Sequence, residues 1–448
     1  MTPINLIKKY NVAAPRYTSY PTVPYWETEG WNESGWLQSV QKAYRESKEG
    51  GISMYVHLPF CENLCTYCGC TTRITKNHRV EEPYIEAVIR EWELYAGLLG
   101  EKPRIREIHL GGGTPTFFSP ENLSKLMNGL LEHAVIVAGA EFSFEAHPAN
   151  TTFEHLRILY GFGFRRLSLG IQDFDPAVQE IINRRQTVEQ VEQVTRQARE
   201  MGYTSINYDL IYGLPLQKLQ SVEDTVRKVI RLRPDRIAFY SYAHVPWIKP
   251  GQRHFTEADL PEDEAKRLLY ERGREMFLEA GYHDIGMDHF ALPSDSLYAA
   301  ETNGTLHRNF MGYTHQYTRL CIGLGVSAIG DSWYAFGQNI KVVEPYLKAI
   351  GEGRFPVFRG HLLTGEDLQH RREILGIMCQ GTTGLERETL REVRQRLLPL
   401  QEDELITVED GQLQVTEKGR PFLRNICMAF DRRLWQRQPE SQIFSSAV

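Results

Sequence analysis

Between residues 50 and 245 the chain alternates two rhythms of apolar and polar positions. Six short runs rich in β-branched and aromatic residues recur: 53–58 (SMYVHL), 107–110 (EIHL), 141–146 (EFSFEA), 166–172 (RLSLGIQ), 205–213 (SINYDLIYG) and 236–244 (RIAFYSYAH). The segments between them repeat apolar residues every three or four positions. In the first, Ile85, Val88, Ile89, Trp92, Ala96 and Leu99 form one stripe while Glu86, Arg90, Glu91 and Glu93 fall elsewhere, the pattern of a surface helix with one buried face. A second helix is predicted to start at Ser119, with Pro120 next and Glu121 after it. Strands alternating with helices imply right-handed crossovers and a mainly parallel sheet, so the expected fold class is α/β. Six such units suit a doubly wound sheet or an incomplete (β/α)6 barrel, and both place ligands at the carboxyl ends of the strands.

After residue 360 the rhythm changes. Residues 363–380 and 386–398 have helical periodicity, 405–415 (LITVEDGQLQV) alternates around Asp410-Gly411, and 419–430 reads as a last helix. The Asp-Gly pair between alternating apolar positions predicts a hairpin. Residues 361–448 are therefore expected to form a smaller, mostly helical, winged-helix-like domain. Residues 250–360, which include GLGVSAIG, carry no clear local period.

Charge narrows the function classes. With 51 Lys and Arg against 57 Asp and Glu, the net charge is -6, which lacks the broad basic field of a nucleic-acid binder. The acidic stretch EDELITVED at the predicted wing adds to that argument. An anionic ligand would need a local basic pocket. No apolar run approaches membrane-spanning length and the first residues lack a signal-peptide pattern. The expected location is cytoplasmic, where thiols stay reduced and clustered cysteines bind metal or do chemistry.

Four of the seven cysteines lie in CENLCTYCGC, residues 61–70, on the spacing C-x3-C-x2-C-x-C. Zinc usually takes two cysteine pairs separated by a longer loop, whereas Cys321, Cys379 and Cys427 are scattered singly. A 4Fe-4S cluster can be held by thiolates of one short loop. Cys61, Cys65 and Cys68 would hold three irons and leave the fourth for a non-protein ligand; a zinc or purely structural cluster stays open as the alternative. The loop directly follows the first predicted strand, on the expected active-site face.

Residues 55–70, YVHLPFCENLCTYCGC, resemble the signature of radical S-adenosylmethionine (SAM) enzymes. Together with KYNVAAPRYTSYPT, HLGGGTPT, NYDLIYGLP, GMDHF, LHRNFMGYT and RNICMAFD, they resemble the oxygen-independent coproporphyrinogen III oxidase, or dehydrogenase, family of haem biosynthesis. These blocks run through most of the chain. The resemblance implies a TIM-like incomplete radical SAM barrel over 46–360, with a core at about 50–245 plus an extension, and a segment 1–45 covering its mouth. It implies that Cys61, Cys65 and Cys68 ligate the cluster, and that Cys70 is needed for catalysis without being a ligand. It assigns Tyr55, Gly112, Glu145 and Ile329 to a first SAM molecule, and Tyr67, Gly113, Thr114, Gln172, Arg184, Asp209 and Ala243 to a second.

Read from the residues alone, three glycines let backbone approach a ligand and offer unobstructed amides. Glu145, Gln172 and Asp209 end successive predicted strands, where a sugar or amino-acid group needs acceptors. In the resemblance, Tyr67 stands where the family often carries Phe. Arg308 offers a planar fork for a carboxylate, and His57, His109, His289 and His307 receive no role.

The implied reaction converts two propionates of coproporphyrinogen III to vinyl groups with loss of CO2. A flavodoxin- or ferredoxin-like protein would donate electrons, an unidentified acceptor would take them, and a monomer with no nucleic-acid or membrane partner is expected. The alternatives are a haem-binding chaperone, whose relatives carry an aromatic at the Cys70 position and lack the YTSYPT block, and another tetrapyrrole-modifying radical SAM enzyme.

Overall fold

The computed structural model describes residues 4–437 and 444. Residues 1–3, 438–443 and 445–448, at the ends of the expected terminal segments, lie outside the described residues. Six parallel strands form the centre: β1 (Ile52–Leu58), β2 (Arg104–Gly112), β3 (Val135–Ala146), β4 (Phe164–Gln172), β5 (Ser205–Tyr212) and β6 (Arg236–Ser241). They pair strictly in chain order. A doubly wound sheet reverses its strand order at a switch point. This sheet has no reversal within β1 to β6, so the alternative left by the sequence resolves to the incomplete barrel.

The two edges do not meet. β1 pairs in parallel with Cys321–Leu324, from which Ile329–Asp331, Ala335–Asn339 and Val357–Leu362 extend the sheet. β6 pairs antiparallel with His289–Ala291, and that strand with His283–Gly286. These extension strands span three to six residues, too short for a local period to register.

Alternation along the strands separates two faces. Ile108, Leu110, Phe144, Leu167, Leu169, Ile206, Leu210 and Ile237 are buried in the main apolar core, whereas His109, Ser143, Glu145, Ser168, Asn207 and Asp209 line the interior. The register aligns these inner residues in layers: His109, Ser143, Arg166 and Ser205 sit side by side, and so do Glu145, Ser168, Asn207 and Arg236. A closed barrel fills its interior with branched apolar side chains; here the polar inner face leaves space for a ligand.

The helix Glu81–Leu99 packs Ile85, Val88 and Trp92 into the core as its stripe predicts. Glu91, expected on the polar face, is instead fully buried. It accepts hydrogen bonds from Gly325 N (2.8 Å), Asn339 Nδ2 (2.6 Å) and the Tyr346 hydroxyl (2.7 Å). The helix Val343–Gly351 and the neighbouring extension strands cover that side, an arrangement no local period encodes. The second predicted helix runs from Pro120 to Glu132 with Ser119 as its cap.

Beyond residue 360, helices Gly365–Gln380 and Arg387–Glu402 pack with a three-stranded sheet in which Gln412–Val415 lies between Thr382–Gly384 and Ile406–Glu409. Asp410 and Gly411 both take positive φ, 49° and 76°, as the predicted two-residue hairpin turn requires. The expected last helix is shorter: a 3-10 turn at Arg420–Phe422 precedes Leu423–Met428. No helix among the described residues is long and apolar enough to cross a membrane.

Candidate active site

The carboxyl ends of the strands open into one cavity of about 1130 Å3. Its rim is the loop after β1, which carries Cys61, Cys65, Cys68 and Cys70. Neighbouring elements hold this loop mainly through its backbone. The amides of Gly113 and Thr114 donate to Leu58 O (2.9 Å) and Phe60 O (3.0 Å), and the Thr75 amide donates to Cys61 O (2.9 Å). From the β4 side, the Thr66 amide donates to Ile182 O (3.0 Å) and Asn183 Nδ2 to Leu64 O (2.8 Å). From the β6 side, Gln252 Nε2 donates to Tyr67 O (3.0 Å) and Ala243 O (3.2 Å), and Lys249 Nζ to Cys70 O (3.1 Å).

All four loop cysteines are free thiols; three are half-buried and Cys70 is exposed. Cys61 Sγ lies 3.3 Å from Thr114 Oγ1, and the Cys70 amide donates to Cys68 Sγ (3.4 Å). The thiol contact between Cys68 and Cys70 pulls Cys68 down to about 6 and pushes Cys70 well above its ordinary value. Burial pushes Cys61 up to about 11. Arg184 brings Nη1 to 3.7 Å from Cys65 Sγ. Among the described residues no group of three His, Cys, Asp or Glu side chains converges on a point as a single ion requires. Soft sulfur donors spread along one anchored loop beside a buried cation fit an iron-sulfur cluster.

The glycine run serves packing rather than free donors, which corrects the expectation of unobstructed amides. Gly112 donates its amide to Glu145 Oε2 (3.1 Å), and those of Gly113 and Thr114 hold the loop stem. Gly112 sits at φ +112°, and a Cβ there would come within 2.6 Å of the His57 ring. At Gly113 a Cβ would lie 2.6 Å from the Pro59 backbone. Glycine is needed because the end of β2 presses directly on the loop after β1.

Glu145 faces the cavity with 42% of its side chain exposed. Burial within the body pushes its carboxyl up, but His109, the Gly112 amide and His57 outweigh it, and the group is held below its ordinary value. Asp209 accepts from Ser168 Oγ and Asn207 Nδ2, each at 2.8 Å. Burial and the nearby Glu145 charge nevertheless push it up to about 6. Gln172 is buried at φ 65°, and Arg184, also buried, donates through Nη2 to Gly170 O while its Nε lacks a partner.

Of the residues singled out in the sequence, Cys61, Cys65, Tyr67, Cys68, Cys70, Gly112, Gly113, Thr114, Glu145, Gln172, Arg184, Asp209 and Ala243 all line this cavity. Tyr55 and Ile329 are not on its wall. Tyr55 stacks on His109 at 5.9 Å and reaches His57 Nδ1 through its hydroxyl (3.0 Å), so it stands behind the Glu145 partner. Ile329 begins a short strand packed against Gly323. Sequence reasoning missed Gln252 and Arg16. Gln252 follows Pro250-Gly251, where no period exists, and Arg16 reaches the cavity from the N-terminal segment with Nη1 on Asp288 Oδ2 (3.1 Å).

Comparison with known proteins agrees with this geometry. The radical SAM superfamily model matches residues 55–229. The oxygen-independent coproporphyrinogen III oxidase of Escherichia coli K12 is 39% identical over 99% of this chain and 98% of its own length. That of Pseudomonas aeruginosa is 38% identical over 96% and 95%. A solved structure of coproporphyrinogen III oxidase from Escherichia coli, described as a radical SAM enzyme, superposes with a TM-score of 0.91 at 38% identity, covering 97% of this chain and 99% of that one. A four-cysteine loop at the mouth of an open parallel barrel, with relatedness along nearly the whole length, makes this chain a member of the oxygen-independent coproporphyrinogen III oxidase family of radical SAM enzymes.

Proposed function

We propose that the chain catalyses the oxygen-independent oxidative decarboxylation of coproporphyrinogen III to protoporphyrinogen IX in haem biosynthesis. The observation that carries this reading is the union, in one cavity of about 1130 Å3, of the cluster-loop thiols with ionisable strand-end side chains. That volume exceeds the usual range for a drug-sized ligand, roughly 300 to 1000 Å3, and leaves room for a tetrapyrrole beside a nucleoside.

Each reacting propionate loses one hydrogen atom, one CO2 and one electron to become a vinyl group. The hydrogen is too weakly acidic for a protein base. The family implies a 4Fe-4S cluster and SAM, which together supply, when bound, a carbon-centred radical able to take it. The chain's own residues bind, orient and enclose. Cys61, Cys65 and Cys68 are assigned to the cluster. Glu145, held ionised at its post, suits the ammonium group of one SAM, with Gly112, Tyr55 and Ile329 around it. Tyr67, Gly113, Thr114, Gln172, Arg184, Asp209 and Ala243 are assigned to a second SAM molecule, where Asp209 offers hydrogen bonds to hydroxyls. Cys70, turned to the cavity with its proton retained, is assigned to catalysis rather than ligation.

In this reading residues 1–45 close the barrel mouth, 46–360 carry the chemistry, and 361–448 form the winged-helix-like domain. Arg16 on the cavity wall supports the first of these. Electrons come from a flavodoxin- or ferredoxin-like donor to a cytoplasmic, monomeric enzyme. The test is anaerobic product analysis with coproporphyrinogen III, SAM and dithionite. Protoporphyrinogen IX with two CO2 per substrate is expected; SAM cleavage without CO2 release would favour a chaperone or a different tetrapyrrole enzyme.

A further inference from the structure

Arg308 is a buried arginine left without a carboxylate partner among the described residues. It is 5% exposed, its Nε and Nη1 have no hydrogen-bond partner, and among the described residues no Asp or Glu pairs with it. It faces its cross-strand neighbour Tyr313 in a short hairpin, with the guanidinium 4.6 Å from the ring centroid. An aromatic face is a weak substitute for a counter-ion, and a buried, unpaired cation is costly to a fold.

A second orphan stands beside it. His289 packs edge-on to Tyr313 at 5.3 Å, and its Nδ1 is buried without a partner. Its Nε2 lies 3.4 Å from the Tyr240 hydroxyl; with Nε2 accepting that bond, Nδ1 carries the proton and is an unanswered donor. Burial and the cations Arg308, Arg16 and Arg236 keep this ring neutral. Tyr240, His289 and Tyr313 line the cavity, and Arg308 is held against the Tyr313 ring. Three other arginines of the cavity wall are already matched: Arg16 with Asp288 (3.1 Å), Arg236 with Asp295 (2.6 Å) and Arg166 with Glu141.

We propose that Arg308 and His289 form a carboxylate subsite that receives one propionate of the substrate between the rings of Tyr313 and Tyr240. The Arg308 fork takes the carboxylate oxygens, and His289 Nδ1–H adds a neutral donor. The proposal rests on the functional reading above and adds to it a residue that holds the macrocycle in register with the cluster loop.

The probe is coproporphyrin III, the fluorescent oxidised macrocycle with the same four propionates, titrated into anaerobically reconstituted protein. Arg308→Met should raise its Kd by about 10- to 100-fold, the usual weight of a charged hydrogen-bonded contact, and Arg308→Lys should raise it less. The tetramethyl ester should bind parent and Arg308→Met alike. SAM affinity should not change, which separates a propionate from the carboxylate of SAM as the occupant. The ligand-free Arg308→Met protein should melt no lower than the parent, because it has lost a buried, unpaired charge. Equal coproporphyrin Kd values, an equal loss for the ester, a matching loss of SAM affinity, or a lower melting temperature with loss of every ligand would each overturn the subsite. Absence of protoporphyrinogen IX from the parent reaction would instead defeat the functional reading itself.

Discussion

Glu91 shows how far a single residue can depart from its local pattern. Burial pushes its carboxyl up to about 7, against the three donors from Gly325, Tyr346 and Asn339. The unfolded chain releases this proton near 4.5 and the folded protein near 7, so between those values the folded state binds more protons. Stability therefore falls as pH rises through that window and levels off above it, by on the order of 3 kcal/mol for this group. Glu91→Gln, which mimics the protonated form, should gain on the parent in thermal melts across the same window; a constant gap would mean that Glu91 is ionised throughout. The loop cysteines differ from Glu91, because their spacing along one loop is legible in the sequence. Arg16 and Gln252 are not, since each reaches the site across a long stretch of chain.

At the scale of elements, the six barrel strands and their helices are legible because each has enough residues to express a period. The extension strands are not, being short and paired with partners far along the chain. The glycine run after β2 lies between: its position is readable, but its role is to let two strand ends touch. Gly113→Ala would drive a Cβ into the Pro59 backbone, which cannot rotate aside as a side chain would. We expect a loss of about 1 to 3 kcal/mol and lower iron content after reconstitution. At Gly97, inside the helix Glu81–Leu99, an added Cβ would meet nothing within 4 Å. Gly97→Ala should therefore stabilise by about 0.5 to 1 kcal/mol, and a loss at both sites would point to a general intolerance instead of loop pressure.

Over the whole molecule, the two ends of the chain share one apolar core. Leu6, Tyr10, Tyr17 and Tyr20 pack with Ile374, Leu397, Phe422 and Ile426, and Arg424 donates to Pro15 O (3.0 Å) while Asn425 Nδ2 donates to Tyr10 O (2.8 Å). This core fixes the N-terminal segment that carries Arg16 to the cavity wall. The barrel is left open because its two sides do not meet, its interior is polar and its cysteine loop is pinned from β1, β2, β4 and β6, an arrangement that suits a group seated at the rim. The α/β strand order and the cysteine loop are readable from the sequence pattern, and the family resemblance adds the open barrel; the shared core is not readable, because its halves lie hundreds of residues apart.

The central claim is that three thiolates, and no fourth protein group, hold the iron cluster. Its most direct test is the electron paramagnetic resonance spectrum of the reduced, reconstituted protein before and after SAM is added, with Cys65→Ala and Cys70→Ser in parallel. The account predicts that SAM changes the signal of the parent and of Cys70→Ser, and that Cys65→Ala has little cluster to report. A signal indifferent to SAM, or a cluster lost from Cys70→Ser as fully as from Cys65→Ala, would contradict it.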